Sequence, residues 1–227
     1  LLSPGERFIE RYVKQCSKII IPDNPPPYTI SEYNLGNLDD MGLENKVEYV
    51  GSFIDTTPVS GKQEHVFVPI SGPIGTRAKI LRMLLPVLEK ANTKYVISLG
   101  APGKKFSKKI GNGEVHTWLS DEERKKALVN AKYVIFSGGH ATCFETIKYG
   151  KPSICIPTQP EQLANAAKLE KLHCSIVVKN RKHLEKALLK IEREIDVYYR
   201  HMQVLRKVSS SFKGLDRATE IIQSLMV

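Results

Sequence analysis

No stretch of this sequence approaches the roughly 20 consecutive apolar residues that a helix needs to cross a bilayer, and no signal-peptide pattern opens it. Any membrane contact is therefore expected to be peripheral. Cysteine is scarce and scattered. Cys16, Cys143, Cys155 and Cys174 read as reduced, mostly buried thiols of a cytoplasmic protein, and no metal site is expected. Neither a Walker loop nor G-x-G-x-x-G occurs, so the two common nucleotide fingerprints do not apply. Acidic residues are outnumbered, 24 Asp and Glu against 34 Lys and Arg. The resulting net charge of +10 favours polyanionic company, whether phosphates, nucleic acid or an anionic membrane surface, without choosing among them.

What remains is the composition of a globular protein, 41% hydrophobic and 26% charged. The 227 residues suffice for one large α/β domain, or for one domain plus a fragment of another. The chain begins at Leu1, inside a charged amphipathic segment, and further sequence is expected upstream.

Short β-branched or aromatic runs recur at 65 to 70, 94 to 100, 114 to 119, 132 to 138, 152 to 157 and 174 to 178. They are nearly continuous in apolar character, which predicts strands buried on both faces of a parallel sheet. Helical patterns at 74 to 91, 121 to 130, 142 to 149 and 159 to 172 lie between most of them. The alternation predicts an α/β fold, a doubly wound parallel sheet, with a charged helical tail from about residue 181. "APGKKFSKKIGNG" interrupts the alternation, being too rich in glycine and lysine for a helix. At the amino-terminal end a helix (4 to 15), a strand in "KIIIPD" and the three prolines of "NPPPYTISEYNLGN" read as the end of another domain plus a linker. The expected division is 1 to 45 for that segment, 46 to 195 for the main domain and 196 to 227 for carboxy-terminal helices.

A doubly wound sheet binds ligands where its strands run into its helices. In "FSGGHATCFE" a strand leads through Ser137, Gly138 and Gly139 to a helix expected to begin near Thr142, a turn suited to an anion or to nothing but reversal. Glu145 stands three residues after Thr142, and Glu161 three after Thr158. Each pair satisfies a T-x-x-E capping box, in which the glutamate only closes its own helix. Gln162 and Asn165 beside Glu161 favour a second reading, a mouth that reads hydroxyl-rich ligands. Ser71 and Gly72 form a similar turn after the first main strand. Trp118, the only tryptophan, is either core or a stacking surface at the same edge. The basic run Lys104, Lys105, Lys108 and Lys109, interleaved with Phe106 and Ile110, reads as a solvated loop or as a contact for anionic lipid or a diphosphate.

The run from Trp118 to Asn165 resembles the nucleotide-sugar signature of the GT-B glycosyltransferases, the group that includes UDP-glucuronosyltransferases and the N-acetylglucosaminyltransferase of peptidoglycan synthesis. In that signature a His-Gly-Gly turn is followed by a glutamate eight residues after the histidine and by an Asp/Glu-Gln pair sixteen residues later. Here Ser137 to Glu145 is eight, Glu145 to Glu161 is sixteen, and Gln162 follows. The resemblance covers about Tyr49 to Val178, and "IIIPDNPPPYTISEYNLGN" is similar to the end of the amino-terminal half in archaeal members. Two departures stand out: Ser137 replaces the histidine, leaving His140 as its possible substitute, and Leu119, Ser120 and Asp121 do not reproduce the Pro-Gln that follows the family's tryptophan.

The resemblance implies a Rossmann-like, carboxy-terminal GT-B half that binds a UDP-sugar as substrate, with no cofactor, and transfers the sugar with inversion. Gly138, Gly139 and Thr142 are expected at the diphosphate, Glu145 at the ribose, Glu161 and Gln162 at the sugar, and Trp118 near the base. The catalytic base is expected in a missing amino-terminal acceptor domain or subunit, the acceptor is open, and no nucleic-acid partner is implied. The alternatives are a non-catalytic partner subunit of a split two-chain glycosyltransferase, or a nucleotide-sugar epimerase, for which no carboxylate cluster argues.

Overall fold

The computed structural model describes residues 11–36, 38, 42–54, 60–101, 103 and 105–226; most of the expected first helix, and Lys104, lie outside them. Near the amino terminus β1 (Ile19–Ile21) and β2 (Val47–Tyr49) pair in parallel, with the short helix α1 (Glu32–Leu35) between them in the chain. The main sheet holds β3 (His65–Pro69), β4 (Tyr95–Ser98), β5 (Ser107–Ile110), β6 (Gly113–His116), β7 (Ala131–Phe136), β8 (Ser153–Cys155) and β9 (Ser175–Val177). Its order is β5-β6-β4-β3-β7-β8-β9, parallel throughout except for the β5–β6 pair.

Both faces of this sheet are covered, so the strands need no polar side. Along β3, Val66 and Val68 pack on one face with Ile80, Leu84 and Leu88 of α2 (Ile74–Lys90). Phe67 packs on the other, with Leu128 of α3 (Asp121–Val129), Phe144 of α4 (His140–Lys148) and Leu169 of α5 (Pro160–Lys171). The helix α6 (Arg181–Arg193) joins α2, and α7 (Ile195–Ser210) crosses to pack on α4. This is the doubly wound arrangement that the continuous apolar strands imply. The last helix, α8 (Gly214–Ser224), returns to the small sheet, where Ala218 and Ile221 bury against Val50 and Ile20.

Two local expectations change, and one segment gains a definite place. The interruption between Gly100 and Gly113 holds a strand: β5 turns back on β6 through Gly111 and Asn112, with Ile110 paired to Gly113 and Gly111 at φ 53°. Lys108 and Lys109 of the basic run thus lie on an edge strand, where their exposed side chains discourage a further strand from pairing. The helix expected near Thr142 begins at His140. The proline-rich segment packs on the main domain: Ile30 is fully buried in the α4–α5–α7 layer and α1 lies on α5, where Glu32 pairs with the buried Lys168. Among the described residues no helix is long and apolar enough to cross a membrane.

Candidate functional site

Because β3, β4, β6, β7 and β8 run the same way, their carboxyl ends share one edge, and the turns that leave them are tied together. Ile70 N–H donates to Ser98 O at 2.7 Å, Leu99 N–H to His116 O at 2.9 Å, and Ile156 N–H to Phe136 O at 2.7 Å. Ser71 and Ser137 line one small cleft with Ile70, Phe136 and Ile156, so the first main turn and the double-glycine turn face a common space. Gly72 has φ +100° with open space about it. Arg77, missed in the sequence, donates from Nη1 to Leu99 O at 3.1 Å and braces this turn against the end of β4.

The double-glycine turn is built by two different glycines. Gly138 has φ +91°, and a Cβ there would lie 2.5 Å from Gln162 O, so only glycine lets the turn rest on α5. Asn165 holds it there: wholly buried, it donates from Nδ2 to Gly138 O at 3.1 Å and to Glu161 Oε1 at 2.7 Å, and accepts from Asn34 Nδ2 at 2.8 Å. Gly139 does the opposite. It is the N-cap of α4, faces open space, and no side chain caps the helix. The N–H groups of His140, Ala141 and Thr142 therefore open the helix without an acceptor among the described residues, a concave set of donors carrying the positive end of the helix dipole.

Neither glutamate is a cap. With α4 starting at His140, Thr142 lies inside the first turn, and Glu145 instead takes both prongs of Arg124: Nε at 3.1 Å from Oε1, with Nη2 on Oε2. The Arg124 guanidinium sits 5.8 Å from the centre of the Phe67 ring. At α5 the N-cap is Gln159, and it is Gln162, not Glu161, that folds back to accept from Thr158 N–H at 3.0 Å and from its hydroxyl at 2.9 Å. A capping box does occur among the described residues, at Ser120 and Glu123. Arg124 lies in "DEERKK", where nothing local points to a partner 21 residues away.

The His140 side chain is turned toward Asp23. Its Nε2 lies 3.3 Å from Asp23 Oδ2 and its ring is edge-on to Phe144. Asp23, fully buried, also accepts from the N–H groups of Asn24, Ile30 and Ser31 and from the Ser31 hydroxyl, at 2.6 to 3.0 Å. Beneath the turn, burial pushes the Cys143 thiol well above its usual range, with Asp23 and Glu161 adding to the effect, so it is no nucleophile. Trp118 is 41% exposed and follows β6. Two strands separate β6 from β7, which sets it roughly 14 Å across the sheet from Ser137. Among the described residues no group of three or more His, Cys, Asp and Glu side chains is placed to hold a metal. Broader hollows, one of about 500 Å³ lined by His65, Lys94, Lys132 and Glu192, open at the opposite edge, away from these turns.

This architecture is that of the carboxy-terminal half of a GT-B glycosyltransferase. A glycosyltransferase of kitacinnamycin superposes with a TM-score of 0.70 at 15% identity, covering 96% of this chain and 60% of its own. The calicheamicin glycosyltransferase gives 0.68 at 13% identity, covering 95% of this chain and 54% of its own. Residues 82–215, more than half of the chain, match the glycosyltransferase family 28 C-terminal domain, and the chain belongs to that family. Similar curated sequences are uncharacterized glycosyltransferases of Methanosarcina mazei, 27% identical over 175 residues, and of Methanosarcina acetivorans, 29% identical over 176. Both organisms are archaea, in keeping with the archaeal resemblance of the sequence. Each alignment takes in 73% of this chain and 45% of the relative, so the chain spans about half the length of the curated relatives it matches.

Proposed function

We propose that this chain is the donor-binding portion of a glycosyltransferase that takes a UDP-activated sugar and transfers it, with inversion, to an acceptor held by an amino-terminal domain or subunit. One observation carries the reading: an uncapped helix start, fronted by Gly139 and open space, stands beside two glutamates that no capping role occupies. The amides of α4 suit the diphosphate, whose departure they would stabilise electrostatically as charge develops. Glu145, oriented by Arg124, suits the paired hydroxyls of a ribose, and Glu161 with Gln162 suits those of the sugar. Asn165 supports the turn from behind, because each of its polar atoms is already engaged. His140 is not the diphosphate contact in this arrangement; its partner is Asp23. Trp118 is assigned to the base by resemblance alone. No base for the acceptor hydroxyl is assigned within the chain, and no metal or cofactor is invoked. The described cysteines are unpaired, which suits a cytoplasmic setting.

Saturation-transfer NMR with a panel of UDP-, GDP- and TDP-sugars tests the proposal. Transfer to the uridine and ribose protons of a UDP-sugar is expected, with weaker signals from the other nucleotides. Equal signals across the panel, or none from a folded protein, would overturn the assignment of the donor.

A further inference from the structure

We infer that Lys151 and Arg206 form a binding site for a small tetrahedral oxyanion, such as phosphate or sulfate, at the edge of the sheet opposite the donor turns. The site begins with a reversal of the chain. Helix α4 ends at Lys148, Gly150 adopts φ +62°, and Lys151 N–H donates to Thr146 O at 2.8 Å, which sets Lys151 just ahead of β8. Lys151 is only 4% exposed, yet its ammonium has no carboxylate or carbonyl acceptor among the described residues. Arg206 of α7 lies over the same reversal: a Cβ on Gly150 would stand 3.1 Å from Arg206 Nη1 and 2.7 Å from Gln203 Nε2. Arg206 Nε is buried without a partner, and Nη1 reaches only Gln203 Oε1, at 3.4 Å.

Two cations thus meet at one chain reversal, with Arg206 Nε unmatched and no anion supplied by the described residues. Burying charge without a counter-charge is costly, and a built cluster of this kind is complementary to an anion. The surroundings agree. Burial, with Arg206 adding to it, brings the Lys151 amine down to about 8, and the further neighbour His65 is lowered mainly by its own burial, with Lys151 adding to the effect. An oxyanion would take hydrogen bonds from the Lys151 ammonium and the Arg206 guanidinium and remove the repulsion between them.

Crystals of the protein soaked in selenate read the site directly. Anomalous selenium scattering is expected within hydrogen-bond reach of Lys151 Nζ and the Arg206 guanidinium, and a map with selenate bound only elsewhere would overturn the proposal. In solution, inorganic phosphate at constant ionic strength should raise the melting temperature of the wild type more than that of Lys151→Met or Arg206→Gln, because a ligand stabilises only the state that binds it. An equal rise in all three proteins would also overturn it. Phosphate held at the donor turns contributes equally to all three and drops out of the comparison.

Discussion

A carboxylate gripped by both prongs of an arginine has one lone pair on each oxygen occupied and the other two aimed outward. Glu145 stands in this position against Arg124, and the arrangement orients its remaining acceptors without neutralising them by capping. Lys151 is the second residue whose surroundings dictate a measurable behaviour. Its amine titrates at about 8 in the folded chain against an ordinary 10.5, because burial and then Arg206 disfavour its charge. Between those two values the unfolded chain holds a proton that the folded chain has released, so folding stability from this group rises with pH across that window. In buffer free of oxyanions, Lys151→Met is expected to be more stable than wild type at pH 7 by on the order of 1–3 kcal/mol, the gap closing as pH rises from about 8 toward 10.5. Denaturant titrations at a series of pH values measure it, and a gap independent of pH would contradict it. Taking the difference between the two proteins removes the buried thiols, whose ionisation falls in the same range. Spacing along the chain brought Glu145, Glu161 and Gln162 to notice, but it carried no sign of Arg124, Asp23 or Arg206. Their partners lie 21, 117 and about 55 residues away in sequence or across helices, where only the fold brings them together.

Within elements, the two glycines of the α4 turn make opposite predictions. Gly138→Ala forces a side chain into a positive-φ residue and against a backbone carbonyl 2.5 Å away, and a destabilisation of about 2 kcal/mol or more is expected from chemical denaturation. Gly139→Ala meets nothing within 4 Å at φ −63° and should cost less than about 1 kcal/mol, while its methyl intrudes on the space before the helix and weakens nucleotide binding. If both variants unfolded equally, the turn would not be built as described. The same element shows why the sequence pattern and the structure differ by two residues at its start. "GGHATCFE" contains a plausible cap at Thr142, whereas the chain begins its helix at His140 with no side-chain cap, leaving the amides free. The β5–β6 hairpin was overlooked for a related reason. Lysines and glycines weaken the apolar signal, yet a two-residue Gly-Asn connection and an outward-facing edge are where such residues belong in a sheet.

For the molecule as a whole, the doubly wound sheet was legible because a strand covered on both faces must be apolar throughout, and helical patterns lie between most of the six such runs. The amino-terminal segment was harder to read. Three prolines announce irregular backbone but not where it lies, and here the segment docks through Asp23, Ile30 and Glu32 onto the layer that carries the double-glycine turn. Through His140 and Asn165 it touches both helices that frame the proposed donor site. The return of α8 to β1 and β2 ties the other end of the chain to the same small sheet. The central claim is that the turn from Ser137 to Glu145 receives a nucleoside diphosphate, and isothermal titration with UDP tests it most directly. Saturable binding at one site is predicted, weakened roughly 10- to 100-fold in Glu145→Gln through loss of charge-assisted hydrogen bonds, with circular dichroism confirming the fold of both proteins. No heat of binding from the folded wild type, or an affinity unchanged in Glu145→Gln, would contradict it.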